Sequence, residues 1–533
     1  MQPTLLDDIP KLREELLQGF MSGKMRPIPY RKEQIAKLAY MVQDNIDDFR
    51  AALASDLGRN ELEADFLDIQ PTLNEILLAH KNVEKWNTPD KVPFSVNWFA
   101  MSPSIRKDPK GVVLIISPFN FPMLLILGPL AGAFAAGCTV VLKSSELSPK
   151  VSGVIAKLIP QYFDPDVCRV VIGSIAESTK LLELPWDHIL YTGSGRVARV
   201  ILTAAAKTLT SVTTEASAIS MYLTSQMTVY AGKNPVVLDP KMDLKLAARR
   251  ILWGKFTNCG QICASPDYLL LPQEIHEEFI KELLDVYAEF YPEGAKNSDS
   301  YARMATQSHA ERMQRLISQT KGKIIIGGDT DVENRFVSPT IVTNVLNDDV
   351  LMEDELFGPI LPILTVKNED EAIQDHALTI YVFSEDAAFR SKVYDNTRSG
   401  AAIANDVVIY HSTTGLPFGG IGPSGSGGAT TGKFNYDIFT HLRASLVGRA
   451  LVDKILLKNR YPPHTAAKAK ALAFAMNQKF PPRPKSLRAL SNGVVKLAKT
   501  NRWRLWFAVA MLAAVASAAA RLTNLRSLFA ATP

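Results

Sequence analysis

Apolar side chains near the N-terminus recur at helical intervals. Ile35, Leu38, Val42, Ile46, Phe49 and Leu53 are spaced by three and four residues, which is the repeat of one face of an α-helix. The spacing predicts an amphipathic helix over residues 31–53, with further helical segments to about Trp86. Residues 93–109 then alternate apolar and polar side chains, as a protruding hairpin does.

From Gly111 onwards, short apolar runs alternate with helical patterns. Predicted strands cover residues 111–116, 139–143, 169–172, 188–191 and 212–214, and predicted helices cover residues 129–137, 153–163, 177–184 and 197–207. Strands that are separated by single helices indicate an α/β fold with a parallel, doubly wound sheet. Such sheets bind ligands at the carboxyl ends of their strands. A second α/β segment extends from about residue 233 to 405, and a glycine-rich stretch follows at 415–432.

Composition sets the size of the molecule and the compartment that suits it. A chain of 533 residues with 47% hydrophobic side chains is long enough for two or three domains around a large core. The four cysteines have no regular spacing, which argues against a disulfide framework and favours a reducing compartment. The acidic N-terminus predicts neither a secretory signal nor a transit peptide.

The net charge of +5 conceals a strong asymmetry. Residues 441–533 hold 17 Lys and Arg against one acid, Asp453, so their net charge is +16. The rest of the chain therefore carries 5 − 16 = −11. This basic region contains 16 uncharged, mostly apolar residues at 505–520, flanked by arginines. As a helix they would cover about 24 Å, a little less than a hydrocarbon core of roughly 30 Å. The pattern predicts a tail anchor in the endoplasmic reticulum or mitochondrial outer membrane, with the body in the cytosol. The alternative is a buried or interfacial helix.

Residues 254–268 contain the sequence Gly-Lys-Phe-Thr-Asn-Cys-Gly-Gln-Ile-Cys-Ala-Ser-Pro-Asp-Tyr. Cys263 lies here on a predicted turn between a helix and a strand, where a thiol can face a substrate. A lone cysteine is more often an inert core residue, but the surrounding pattern resembles the nucleophile loop of the aldehyde dehydrogenase superfamily. Together with the apolar tail it resembles the fatty-aldehyde, class 3-like branch, of fungal type. Cys259 and Cys263 have no second Cys/His cluster to complete four ligands, so no metal site is predicted.

The resemblance implies a fold and a chemistry. A cysteine thiolate adds to an aldehyde, hydride passes to a nicotinamide, and activated water hydrolyses the resulting thioester. Asn120, in Ser-Pro-Phe-Asn-Phe-Pro at 117–122, matches the family's oxyanion donor. Glu215, at the end of a predicted strand, matches its general base. Cys263, Asn120 and Glu215 are therefore the expected catalytic residues.

The resemblance also implies a dinucleotide site. It places Lys143 and Glu146 on the adenosine ribose, Gly193 and Ser194 at the phosphates, Glu355 on the nicotinamide ribose and Phe357 beside the nicotinamide. A carboxylate on the ribose favours NAD, because a 2′-phosphate would meet a negative charge; NADP stays possible. The family usually has glycine where this chain has Ala198.

Two segments depart from the family pattern. Glu215 and Lys233 are 18 positions apart, whereas the family has four, so an insertion of 14 residues follows the expected base. The segment around residues 371–383 is several residues shorter than in family members. Residues 216–231 are uncharged and rich in Ser, Thr and Met. A retained intron would produce such a segment, and an artefact of the gene model is favoured over a new function.

The predicted layout divides the chain into a dinucleotide-binding domain, oligomerisation elements, an anomalous insertion, a catalytic domain, a basic connector and a transmembrane segment. The dinucleotide-binding domain is predicted at 1–92 and 110–215, the oligomerisation elements at 93–109 and 415–445, and the insertion at 216–231. The catalytic domain follows at 232–414, the basic connector at 446–504 and the transmembrane segment at 505–520. The leading hypothesis is a membrane-anchored, NAD-dependent, homodimeric enzyme for fatty or apocarotenoid aldehydes, without a nucleic-acid partner. The alternatives are a catalytically impaired scaffold, because of the insertion, and an esterase acting through Cys263.

Overall fold

The computed structural model describes residues 2–95, 98–217, 223–224, 227–228, 232–367, 375–413 and 415–476. The chain forms two compact units: one contains residues up to 88 together with 107–442, and the other contains residues 89–106 and those from 443 onwards. No helix among the described residues is long and apolar enough to cross a membrane. The predicted transmembrane segment, 505–520, lies outside the described residues.

Helices build the N-terminal part of the larger unit. They are α1 (Ile9–Ser22), α2 (Ile28–Gln43), α3 (Ile46–Leu57), α4 (Glu61–Ala64) and α5 (Gln70–Asn87). The single helix predicted over residues 31–53 is wrong, because the chain breaks between α2 and α3. At the break, the side chain of Asn45 donates to the carbonyl oxygen of Met41 at 2.9 Å, so it competes with the helical backbone bonds. Five of the six residues of the predicted apolar face are nevertheless buried, and Ile46 is half-buried.

Two short strands follow α5. They are β1 (Asp90–Lys91) and β2 (Ser104–Pro109), which pair antiparallel with Asp90 opposite Ile105. The antiparallel pairing agrees with the predicted hairpin, although its first strand lies before Pro93.

The first large sheet confirms the predicted parallel, doubly wound architecture. Its strands and helices are β3 (Val112–Ile116), α6 (Leu124–Ala136), β4 (Thr139–Lys143), α7 (Pro149–Tyr162), β5 (Cys168–Val171), α8 (Ile175–Leu182), β6 (His188–Ser194), α9 (Gly195–Ala206) and β7 (Ser211–Ser217). The strands lie in the order β7-β6-β3-β4-β5 and all run parallel. The order reverses between β3 and β6, and the carboxyl ends of these strands form the usual ligand edge of such a sheet.

Element boundaries differ from the predictions where proline or tertiary packing intervenes. The predicted helix 129–137 begins earlier, at Leu124, and Pro129 lies inside it. Almost every residue of this helix is buried, so packing compensates for the missing backbone bond. The predicted strand 212–214 is longer, and β7 extends to Ser217.

A two-residue pair of strands lies inside the predicted insertion. These strands are β8 (Leu223–Thr224) and β9 (Met227–Thr228), which pair antiparallel. The remaining residues of 218–231 are outside the described part of the chain.

The second sheet carries the loop that contains Cys263. Its elements are β10 (Pro235–Leu238), α10 (Leu244–Phe256), β11 (Tyr268–Pro272), α11 (His276–Phe290), α12 (Gln307–Gln319), β12 (Lys323–Ile326), β13 (Thr330–Asp331), β14 (Phe336–Val337), β15 (Thr340–Thr343), α13 (Val350–Glu353), β16 (Ile360–Val366), β17 (Asp375–Phe383), α14 (Ala387–Asp395) and β18 (Arg398–Ala404). Seven strands lie in the order β12-β15-β16-β11-β10-β17-β18, and only β12 runs antiparallel to its neighbour. β13 and β14 form a separate pair.

The glycine-rich stretch returns the chain to the first sheet. The last described elements are β19 (Gly425–Ser426), α15 (Lys433–Ile438), β20 (Thr440–Ser445), α16 (Ala450–Val452) and α17 (Ala466–Met476). β19 pairs antiparallel with β7, with Gly425 opposite Glu215. β20 joins β1 and β2 in a three-stranded sheet. The return therefore places a strand directly beside the expected base.

Candidate active site

The loop between α10 and β11 carries Cys263. Asn258, Cys259 and Gly260 have left-handed backbone angles, with φ of 53°, 54° and 71°. This conformation costs a non-glycine residue roughly 1–2 kcal/mol, so it persists only where surrounding contacts fix it. A side chain at Gly260 would clash with the carbonyl oxygen of Gly358. The turn ends α10 and leads to the partly exposed Cys263 at the wall of a cavity.

Asn234 holds the backbone on both sides of the thiol. Its side-chain amide donates to the carbonyl oxygens of Cys263 at 2.7 Å and of Ser265 at 2.9 Å. The amide oxygen accepts from the backbone N–H of Thr379 at 2.9 Å. The loop is thereby tied to β17, and Asn234 lies three residues after the end of the predicted insertion.

Asn120 lies against the same loop. Its side chain is buried, and its amide donates to the carbonyl oxygen of Gln261 at 3.1 Å. Its backbone carbonyl accepts from the guanidinium of Arg59 and, at 3.2 Å, from the side-chain amide of Asn258. The structure therefore brings together two of the three expected catalytic residues, which are 143 positions apart in the sequence (263 − 120).

Glu215 lies near the carboxyl end of β7. Its side chain is 5% exposed, and burial raises its pKa from 4.5 to about 7. A carboxyl group with this pKa gains and loses a proton near neutral pH, which suits a general base.

The thiol of Cys263 is influenced by two carboxylates. Burial raises the pKa of Cys263 well above its ordinary value, and the charges on Glu215 and Glu355 raise it further. Both carboxylates therefore act electrostatically against ionisation of the thiol.

Two lysines share one carboxylate behind the loop. Asp267 lies 2.6 Å from Nζ of Lys233 and 3.5 Å from Nζ of Lys255, and all three side chains are buried. Burial acts to raise the pKa of Asp267, but the two ammonium groups outweigh it and the pKa falls. Burial lowers the pKa of Lys255 to about 8. This cluster fixes the carboxyl end of the Cys263 loop.

The ligand edge of the first sheet contains Lys143 and Glu146. Nζ of Lys143 donates to the carbonyl oxygen of Ser144 at 2.7 Å and lies 3.4 Å from the carboxylate of Glu146. The buried hydroxyls of Ser117 and Ser144, just after β3 and β4, have no hydrogen-bond partner among the described residues. Orphaned hydroxyls at this edge fit the polar groups of a dinucleotide.

Gly193 and Ser194 lie at the junction of β6 and α9. A side chain at Gly193 would meet the hydroxyl of Tyr191, so this position favours glycine. The hydroxyl of Ser194 caps α9 by accepting from the N–H of Val197 at 3.4 Å. The start of a helix presents N–H groups that suit a phosphate, and Ala198 is buried in the first turn of this helix.

Phe357 and Glu355 lie on the loop between α13 and β16. Phe357 has a left-handed backbone, with φ of 44°, and its ring meets the ring of Phe119 edge to face at 5.8 Å. The ring of Phe119 also packs against the ring of His309, with 5.1 Å between the ring centroids. Phe119 stands where the family has tryptophan, and the phenyl ring keeps an aromatic wall here.

The cavity at Cys263 is lined mainly by apolar side chains. They come from α5, from α6 and the loop before it, from the Cys263 loop and from the glycine-rich return: Leu78, Phe121, Leu124, Leu125, Ile262 and Phe418. Glu75 and His411 also line it. Glu75 accepts from the backbone N–H of Gly432 at 2.6 Å and from the amide of Asn435 at 3.0 Å. Burial raises the pKa of Glu75.

Several residues of this region were missed by sequence reasoning. The buried ion pair joins Arg59, between α3 and α4, to Asp68, between α4 and α5, and no local motif marks it. Asp267 lies inside the 254–268 motif and Asn234 directly follows Lys233, so their positions were a usable signal. Lys255 lies inside the Cys263 motif and was read only as part of its pattern.

Comparison with known proteins identifies the family. The aldehyde dehydrogenase family profile matches residues 7–444. The chain is 38% identical over 472 residues to aldehyde dehydrogenase family 3 member A2 of Macaca fascicularis, covering 88% of this chain and 94% of that protein. This chain belongs to the aldehyde dehydrogenase family. The solved structure of Staphylococcus aureus AldH in a substrate-bound state matches this aldehyde dehydrogenase with a TM-score of 0.81 at 34% identity, over 87% of this chain and 99% of that one.

The family also fixes the reaction type and the cofactor class. A dimeric, NADP-preferring aldehyde dehydrogenase of Canis lupus familiaris is 39% identical over 453 residues, covering 84% of this chain and 96% of that protein. The protein is an NAD(P)-dependent aldehyde dehydrogenase related to class 3 members, and its substrate is an aldehyde. NAD or NADP is its cofactor. These names bear on neither the membrane tail nor the fungal type, which stay predictions.

Proposed function

We propose that this aldehyde dehydrogenase oxidises long, apolar aldehydes, of fatty or apocarotenoid type, to carboxylic acids. The observation that carries the proposal is the apolar wall of the cavity in front of Cys263, to which Leu124, Leu125 and Phe418 contribute. Each methylene of a substrate chain buried against such a wall contributes about 0.8 kcal/mol to binding. Long chains therefore gain affinity that short aldehydes lack.

Cys263 is the proposed nucleophile. Its thiolate forms a C–S bond to the aldehyde carbon, and the carbonyl oxygen becomes an oxyanion. The side-chain amide of Asn120 and the backbone N–H of Cys263 donate to that oxygen. A nicotinamide held beside Glu355 and Phe357 would supply the acceptor for the hydride of the same carbon, and loss of that hydride would leave Cys263 as a thioester.

Glu215 is the proposed base for the second half of the reaction. Its carboxylate takes a proton from water, the resulting oxygen nucleophile attacks the thioester carbon, and the C–S bond breaks. The carboxylic acid leaves, and Cys263 recovers its thiolate. A pKa of about 7 for Glu215 supports this role, because the group is largely ionised above neutrality.

Lys143, Glu146, Gly193, Ser194, Glu355 and Phe357 are the proposed cofactor residues. We infer a preference for NAD, because the carboxylate of Glu146 would repel a 2′-phosphate. Replacing Glu146 with Gln should improve kcat/KM for NADP relative to NAD. An unchanged ratio of kcat/KM would remove Glu146 from the ribose site.

The nucleophile is tested with the two neighbouring thiols. Cys263→Ser should abolish aldehyde oxidation and keep cofactor binding. Cys259→Ser is the matched control and should retain at least part of the activity, because the buried Cys259 thiol contacts Tyr301 at 3.3 Å and Met304 at 3.5 Å. Activity of the Cys263→Ser protein at the parent level would exclude this nucleophile.

Substrate length is tested with a series of saturated aldehydes. We expect kcat/KM to rise with chain length, and Leu125→Gln to reduce that rise while propanal oxidation stays close to the parent value. Leu284→Gln, at an exposed leucine of α11, is the control and should leave the rise intact. A flat dependence on length contradicts the proposed substrate class. Absence of NAD(P)H formation with every aldehyde would favour the impaired homologue.

We also propose a homodimer and a membrane-bound location. The dog relative is named dimeric, and sedimentation of the detergent-extracted protein measures whether this chain shares that state. Support for membrane attachment comes from the sequence, where arginines flank the apolar residues 505–520. The proposed site is the endoplasmic reticulum or mitochondrial outer membrane, with the catalytic body in the cytosol.

A further inference from the structure

We infer that Arg59 is a positioning residue, which holds the loop of Asn120 in register with the loop of Cys263. This inference rests on the proposed function, in which Asn120 and the backbone N–H of Cys263 share the oxyanion. The two donors come from different sheets of the larger unit, so their relative position has to be fixed by contacts between loops.

The guanidinium of Arg59 is fully buried and directs its donors at three different segments. Nε donates to the side-chain oxygen of Asn258 at 2.9 Å, and Nη1 donates to Asp68 at 3.1 Å. Nη2 donates to the backbone carbonyl of Asn120. The guanidinium carbon also lies 5.1 Å from the ring centroid of Phe121. Because the guanidinium is planar and its partners are fixed, it sets both the separation and the relative orientation of the segments that it contacts.

Asn258 completes a closed set of hydrogen bonds. Its amide donates to the carbonyl oxygens of Asn120 at 3.2 Å and of Gln261 at 3.1 Å. The amide of Asn120 donates to the same carbonyl of Gln261 at 3.1 Å. One N–H of Asn120 is thus used to orient the amide, and the other is the donor that the proposed function directs at the oxyanion.

Asp68 fixes the guanidinium from the helical side. The side chains of Arg59 and Asp68 are both 0% exposed, and the second carboxylate oxygen of Asp68 accepts from the backbone N–H of Leu124 at 2.7 Å. A buried ion pair is weak support for stability, because apolar residues of similar volume often do as well. A role in geometry accounts for the pair better than a role in stability alone.

The contacts of Arg59 with Asp68, Asn120 and Asn258, which we call the clamp, also act on the strained turn. Asn258 has φ of 53°, and its backbone N–H donates to the carboxylate of Glu63 at 2.6 Å. Arg59 and Glu63 therefore hold the side chain and the backbone of the first left-handed residue. Relaxation of this turn would move the Cys263 loop away from Asn120.

The test compares full-length variants by the rate constant of the NADH burst, with propanal as substrate. Arg59→Lys keeps the charge but loses the fork, and a misplacement of about 1 Å at an active site costs roughly 100-fold in rate. We expect the burst rate constant to fall roughly 10- to 100-fold, with NAD affinity close to the parent value. Arg50→Lys is the matched control, because Arg50 makes a comparable two-bond pair with Asp65 at 2.9 and 2.6 Å.

A double-mutant cycle separates positioning from general destabilisation. If Arg59 acts through the oxyanion donors, Arg59→Lys should lower the rate of an Asn120→Ala enzyme by less than about threefold. A full, additive loss in that background, or a burst rate equal to that of Arg50→Lys, overturns the inference. If Asn120→Ala itself has the parent burst rate, the proposed role of Asn120 fails first, and this inference fails with it.

A second variant keeps the test decisive if Arg59→Lys does not fold. Asn258→Gly removes the amide that joins the two loops, while glycine tolerates the φ of 53° found at this position. We expect the same fall in burst rate, with a melting temperature close to that of the parent. A parent-like burst rate in Asn258→Gly would contradict the clamp.

Discussion

Glu215 and Cys263 each lose hydration in the same part of the molecule. Burial raises the pKa of both groups, and the charge on Glu215 adds to the shift at Cys263. The ionised forms that the reaction needs are therefore the forms that the folded protein disfavours. Ionising these two buried side chains therefore lowers the free energy of unfolding, although the reaction depends on their ionised forms.

Glu215→Gln should separate the two halves of the reaction. The variant lacks the base that activates water, so the thioester should accumulate after a burst of NADH and turnover should be slow. In the parent enzyme, the rate of deacylation should fall as the pH drops below about 7, because Glu215 becomes protonated there. Stopped-flow absorbance measures both. Loss of the burst as well would mean that Glu215 acts before the thioester forms.

The same substitution should change the pH dependence of stability. Since the pKa of Glu215 rises from 4.5 to about 7 on folding, the folded state binds more protons than the unfolded state between these values. Stability should therefore fall as the pH rises through this window, by about 3 kcal/mol in total. Urea unfolding at pH 5 and pH 8 should show a smaller fall for Glu215→Gln. Equal pH dependence in both proteins would contradict the buried, neutral carboxyl group.

At the scale of elements, the turn after α10 decides how the thiol is presented. A regular continuation of α10 would carry Cys263 away along the helix axis, whereas the left-handed residues at 258–260 turn the chain towards β11. Gly260 is required twice over, by its φ of 71° and by its closeness to Gly358.

Gly260→Ala should destabilise the protein and abolish activity. The left-handed backbone costs alanine roughly 1–2 kcal/mol, and the clash with Gly358 adds to that cost. Gly294→Ala is the matched control: Gly294 has φ of 82° with nothing within 4 Å of the added methyl, so it bears the backbone cost alone. Urea unfolding and aldehyde oxidation should both show a larger loss for Gly260→Ala. Equal losses would mean that the approach to Gly358 has no effect.

Two connections between elements have unusual lengths. β16 ends at Val366 and β17 begins at Asp375, which leaves residues 367–374 to join two parallel strands. Such crossovers usually need a dozen residues or more. The other is the predicted insertion after Glu215, where β7 ends at Ser217 and the described chain resumes, past β8 and β9, at Gly232. Both connections lie in the larger unit.

Deleting residues 218–231 should raise activity. These 14 positions separate Glu215 from Lys233 and Asn234, whose side chains fix the Cys263 loop. A protein with the segment replaced by glycine and serine at equal length is the control, and it should stay near the parent activity. Lower activity after the deletion would count against an artefact and for a functional insertion. Sequencing the transcript across codons 210–235 tests the retained intron directly.

At the scale of the whole molecule, charge and apolar character are separated along the chain. The acidic body and the basic C-terminal region differ in sign, and a basic segment beside an apolar run favours the cytosolic face of a membrane. The apolar run at 505–520 follows the basic connector, so the proposed membrane attachment is a property of this region of the chain.

Truncation after Asn501 should release the enzyme from membranes. The protein should keep its activity on short aldehydes and become weaker on long-chain aldehydes dissolved in a bilayer. Leu512→Arg is a full-length control that places a charge inside the apolar run, at a cost of roughly 3 kcal/mol for insertion. Carbonate extraction should release both variants but leave the parent protein in the pellet. Release of the parent by carbonate would replace the spanning segment with an interfacial helix.

The sequence by itself determined the fold class and the family. Alternating strands and helices between residues 111 and 214 predict the parallel sheet, because the apolar periodicity of each element is local. The motifs around Asn120, Glu215 and Cys263 resemble those of one enzyme family and so predict the reaction type. Each motif can be recognised because it consists of residues that are neighbours along the chain. The break between α2 and α3 escaped prediction, because apolar spacing continues across it.

Only the tertiary structure decided which distant side chains act on the site. Arg59 and the adjacent pair Lys233 and Asn234 reach the Cys263 loop from segments distant in the sequence, and no periodicity encodes such contacts. The raised pKa of Glu215 is likewise a property of its surroundings, because burial by neighbouring elements causes it. Sequence patterns fix what a segment forms, whereas the distance and desolvation that govern chemistry arise only when the segments pack together.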